Sequence, residues 1–91
     1  MITLDDIEGM TDLTREEILA IAEHEHLPES SAAIMADYMM HMRKGPQAIQ
    51  RMICEDIRAA LHADNVGHAR ELYAVLHHFL ADHPEAVRGS E

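Results

Sequence analysis

With 91 residues, 17 acids against 7 Lys and Arg, and a net charge of −10 with neutral histidines, the chain is one small acidic domain. Such a charge repels phosphate backbones and anionic lipid surfaces, which excludes nucleic acid and membranes as expected partners. The single cysteine, Cys54, excludes an internal disulfide and any zinc site built on several thiolates.

The apolar residues recur at helical spacing and nowhere alternate as in a strand. The expected fold is therefore all-α, a compact bundle of four to five short helices ending in an antiparallel αα-hairpin. Residues 1–85 form the single domain, and 86–91 a frayed C-terminal tail. Thr3 caps a first helix reaching about Gly9. Thr14 opens the second, with Glu17 completing a capping box and Leu13 and Ile18 forming a hydrophobic staple. That helix runs to about His26, and Leu27-Pro28 stops it. Pro28 then suits the first turn of a third helix, over roughly 29–44.

The third helix is apolar nearly all round, with Ala32, Ala33, Ile34, Met35, Ala36, Tyr38, Met39, Met40 and Met42 against a polar strip of Asp37, His41 and Lys44. A helix of that kind is buried on most sides. In a chain this small it is either central or shared with another subunit. Gly45-Pro46 begins a fourth helix, about 46–63, with Ile49, Met52, Ile53, Ile57, Ala60 and Leu61 facing inward. A turn at Asp64-Asn65 leads to a fifth, about 66–83, which Pro84 stops. The closing hairpin, Ile57 to Glu85, resembles half of a tetratricopeptide unit in its packing, but no second copy of the pattern follows or precedes it.

Glu23-His24-Glu25-His26 is the segment richest in chemistry. Glu23 and His26 are spaced (i, i+3), so one helix face offers a carboxylate and an imidazole to the same ion. Ferritin-like carboxylate proteins use Glu-x-x-His pairs on two helices and lone carboxylates on two others. A symmetric dimer of this chain supplies two such pairs, with Glu55 or Asp56 of each subunit as further ligands. The expected metal residues are thus Glu23, His26, Glu55 and Asp56, and the ion iron, manganese or zinc. On a helical wheel Glu25 and His26 point inward, Glu23 lies at the edge and His24 faces solvent. Asp56 falls inside the apolar arc of its helix and needs a buried ion pair, a hydrogen bond to a helix end, a metal or a second subunit. Glu55 is expected to pair with Arg51 or Arg58. Asp37 and His41 read as solvated, and Cys54 as a structural thiol.

Methionine is flexible and polarisable and suits adaptable binding surfaces, so Met35, Tyr38, Met39 and Met42 are the expected homodimer interface. Residues 3–21 carry a further resemblance, to the helix-turn-helix of DNA-binding regulators. Ile7, Leu13, Ile18 and Ile21 match its apolar positions and Thr14 its opening hydroxyl residue. The pattern departs at Glu8 and Asp12, and Glu16 and Glu17 would face the phosphates. The stretch Glu23 to Glu29, EHEHLPE, resembles a segment of small bacterial all-helical proteins and implies an all-helical cytoplasmic protein with no activity attached. No apolar run approaches the ~20 residues of a membrane span, and the first residues lack a signal-peptide pattern, so a cytoplasmic location is the expectation. The expected function is non-enzymatic, in protein–protein interaction or assembly, with a second copy or another protein as partner.

Overall fold

The computed structural model describes residues 13–88, and all of these are helical apart from the connecting turns. The helix expected over Thr3–Gly9 lies outside the described residues. We number the helices α1 (Arg15–Glu25), α2 (Glu29–Met40), α3 (Gly45–His62), α4 (Val66–Asp82) and α5 (Glu85–Arg88). The architecture is the all-α bundle the periodicity calls for, with α3 and α4 packed as the hairpin and α1 resting on α2, α3 and α4.

Thr14 starts α1 through the reciprocal capping box. Its hydroxyl accepts from the Glu17 N–H at 3.2 Å, and the Glu17 carboxylate accepts from the Thr14 N–H at 2.8 Å. Leu13 and Ile18, the staple pair, are both buried. The helix closes in a Schellman-type turn: His26 takes a left-handed conformation (φ 56°), and the Leu27 N–H bonds back to the Ala22 carbonyl at 3.0 Å. The turn after α3 repeats this device, with Asp64 at φ 59° and the Asn65 N–H on the Ala60 carbonyl at 2.8 Å. The Asn65 side chain then caps α4 by accepting from the His68 N–H at 3.3 Å.

Two boundaries differ from the sequence expectation. α2 stops at Met40, not 44: the chain turns there, and the Gly45 backbone comes hard against the Met39 carbonyl, whose oxygen occupies the space a β-carbon on Gly45 would need. At the other end, residues 86–88 of the expected frayed tail instead continue from Glu85 as α5, whose Ala86 is buried in the core, and 89–91 lie outside the described residues. The Gln47 side chain on α3 holds this last turn by donating to the Glu85 carbonyl at 2.8 Å.

Ile18 and Ile21 of α1, Ile49 and Ile53 of α3, and Leu72 and Phe79 of α4 supply the large side chains of the core. The fully buried side chains of α2 are small ones, Ala32, Ala33 and Ala36, with Met39 and Met40 packed against the core from its last turn. Its expected burial on most sides is therefore not found. Ile34 is 64% exposed, Tyr38 70% and Met42 50%. Alanines let α2 approach the bundle closely and leave its bulky apolar face outward. Among the described residues, no helix is long and apolar enough to cross a membrane.

Candidate functional site

Along its length α1 is tied to the α3/α4 hairpin by polar contacts in which histidine is always the basic partner. Near its start Glu17 meets His78 of α4 at 3.4 Å. Near its end Glu23 meets His68 of α4 at 2.7 Å, and His24 meets Glu55 of α3 at 3.0 Å. Among the described residues neither Lys nor Arg makes such a crossing; Arg15 pairs with Glu29 of α2 instead, at 3.6 Å.

His24 is the centre of the C-terminal group. Its Nδ1 lies 2.9 Å from the Glu25 carboxylate and its Nε2 3.0 Å from that of Glu55. Ionised carboxylates only accept hydrogen bonds, so both ring nitrogens donate and this arrangement holds an imidazolium. Burial by itself disfavours that charge, but the hydrogen bonds to Glu25 and Glu55, with Asp56 close by, outweigh it and raise the His24 pKa above 6.5. At His68 the hydrogen bond to Glu23 is the largest influence, opposed by partial burial and reinforced by Glu71 and Asp56, and again the pKa is raised.

Asp56 sits between these pairs. Its Oδ2 is sealed from solvent and has no hydrogen-bond partner among the described residues. Burial raises its pKa above 3.8, and the neighbouring carboxylates Glu23 and Glu55 add to that, while His24 and His68 pull the other way. Among the described residues Asp56 makes neither the expected ion pair nor the expected helix-end hydrogen bond.

Of the four residues expected to ligate a metal, Glu23, Glu55 and Asp56 gather at this junction and His26 does not. The left-handed turn takes His26 out of the helical phase of α1 and leaves its ring exposed. His24, expected to face solvent, supplies the imidazole instead, and His68 supplies a second one from 45 residues away. Glu55 reaches His24 in place of Arg51 or Arg58. No local spacing marks His68, whose partner is set only by the docking of α1 on α4. Asp37 and His41 are solvated as expected, 3.9 Å apart. Cys54 is half-buried and within 3.3 Å of the Gln50 amide nitrogen. Among the interface candidates Tyr38 and Met42 face outward, Met35 is half-buried, and Met39 turns back to pack on the core. Ile34 takes the place expected of Met39.

The chain matches no family model, no curated protein and no solved structure.

Proposed function

We propose that the chain is a small interaction module that self-associates through the outer face of α2. The observation that carries this reading is the inversion on that helix, which buries three alanines and exposes Ile34 and Tyr38. Ile34 and Tyr38 are one turn apart, and Met42, in the turn that follows α2, is exposed as well. Large apolar side chains left outward along one line are what a helix shows to a partner.

Charge supports a second copy as that partner. Arg43 and Lys44 lie exposed just beyond the C-terminal end of α2 and make no ion pair among the described residues, whereas Glu29, which also meets Arg15, stands at its N-terminal end. An antiparallel two-fold pairing of α2 with its copy sets each basic end against an acidic one, although the chain as a whole is negative. The paired helices also enlarge a core that a chain of this length builds only thinly.

Sedimentation of the full chain at micromolar concentration tests this. A dimer is expected, converted to monomer by Ile34→Glu/Tyr38→Glu with the helical circular dichroism unchanged. A monomeric wild-type chain, or a variant that still dimerises, overturns the reading.

A further inference from the structure

We infer that Glu17, His78 and Asp82 form a site for a first-row divalent transition metal, with zinc as the test ion. One carboxylate oxygen of Glu17 (α1), the His78 Nδ1 and a carboxylate oxygen of Asp82, one turn further along α4, all lie within 4.8 Å of one another. His78 Nδ1 is 3.4 Å from Glu17 Oε2 and 3.4 Å from Asp82 Oδ2.

These separations set the group apart from the pairs at the other end of α1. There the nitrogen–oxygen distances are 2.7–3.0 Å, the length of a hydrogen bond with a proton in place. At 3.4 Å a charge-assisted hydrogen bond is largely lost. The same distance is the edge of a tetrahedron whose metal–ligand bonds are ~2.1 Å, the value for imidazole and carboxylate around zinc.

The buried member points the same way. Glu17 is 0% exposed and has no Lys or Arg within ion-pair distance among the described residues. Its Oε1 is satisfied by the Thr14 N–H at 2.8 Å, but for Oε2 the nearest described donor is His78 at 3.4 Å. A sealed carboxylate oxygen without a close donor is costly, and a cation supplies what it lacks. The capping box thereby acquires a second role. By fixing Oε1 it aims Oε2 at His78, as an outer hydrogen bond orients a ligating carboxylate.

His78 and Asp82 are half-exposed, so the fourth position opens to solvent. It adjoins a depression of about 230 Å³ walled by Thr14, Glu16, Ala74, Val75 and His78. Three protein ligands with an open position leave room for water or a small ligand on the ion. One imidazole with two carboxylates suits zinc, manganese or iron better than magnesium, which takes oxygen ligands.

Zinc titration of the full, untagged chain by calorimetry, in the presence of millimolar magnesium, tests the site. One equivalent is expected to bind. His78→Ala and Asp82→Asn, both at exposed positions and checked for helicity, should each weaken it at least tenfold, while His24→Ala/His68→Ala should leave it intact. Absence of zinc binding, equal binding in the His78 and Asp82 variants, displacement by magnesium, or loss in the His24/His68 variant overturns the assignment.

Discussion

At Asp56 the chain places a carboxylate oxygen where solvent cannot reach it and no donor among the described residues meets it. The helical wheel makes the burial legible, since the residue lies between Ile49, Met52, Ile53 and Ala60. The absence of a partner is not legible, because partners come from other helices. His24 and His68 stand near enough to act through space, yet their own ring nitrogens point to Glu25, Glu55 and Glu23. Burial is the larger influence on Asp56, and it raises the pKa. An acid whose folded pKa is raised contributes stability below its unfolded value of 3.8 and loses that contribution as pH climbs through the folded value. At neutral pH its charge therefore works against the fold. Asp56→Asn removes the charge at nearly constant volume and is expected to stabilise by about 1 kcal/mol at pH 7, the low end of the cost of an unsatisfied buried group. In a domain of this size that raises Tm by about 4–8 °C. The gain should disappear in melts near pH 3.5. A lower Tm for the variant at pH 7 would show that the carboxylate is paired.

Helix ends are where sequence and fold agree best and also where they part. The capping box of Thr14 and Glu17, the staple of Leu13 and Ile18, and the turn at Asp64-Asn65 are local chemistry, and each appears as its residues dictate. The wheel of α1 fails only in its last turn, for two reasons: His26 has left the helix, and His24, still in phase, is covered by a side chain of another helix. His26 at φ 56° ends that phase, and His24, assigned to solvent, reaches Glu55 across the junction. The same limit hides the triad at the start of α1. His78 and Asp82 have the (i, i+4) spacing of His41 and Asp37, and only the tertiary placement of buried Glu17 distinguishes the two pairs. The α2–α3 corner is likewise a tertiary matter: Gly45 is needed because the Met39 carbonyl occupies the space of its missing side chain. Gly45→Ala must push that backbone away, at a cost of ~3 kcal/mol. Chemical denaturation should show the midpoint falling by the corresponding amount with the slope unchanged. Gly67, with nothing within 4 Å of its β-position, is the control, and Gly67→Ala should not destabilise. Equal midpoints for Gly45→Ala and the wild type would mean that the corner is built differently.

Taken over the whole molecule, the use of histidine where other proteins place Lys or Arg makes docking of α1 depend on pH. His24 and His68 both have folded pKa values raised above 6.5. A base with a raised folded pKa holds its proton more tightly in the fold than in the unfolded chain. Its contribution is complete below 6.5 and is lost as pH rises through the folded value. Asp56 slopes in the same direction, since its ionisation also disfavours the fold. Net charge acts alike: protonating all eight histidines removes eight of the ten net negative charges, so acidification also weakens repulsion between two copies. All three arguments place the greatest stability and the tightest self-association on the acid side of neutrality. Between about pH 6 and pH 8.5 Tm should fall, and the self-association proposed for α2 should weaken. The double variant His24→Gln/His68→Gln separates docking from bulk charge, because it removes two of the eight imidazoles and both C-terminal crossings. Its Tm should be lower than wild type at pH 6, close to wild type at pH 8.5, and should fall less steeply between, by the part that the two pairs contribute. A wild-type Tm that stays level or rises over that range, or a double variant with the full slope, would show that these pairs do not hold α1 to the hairpin.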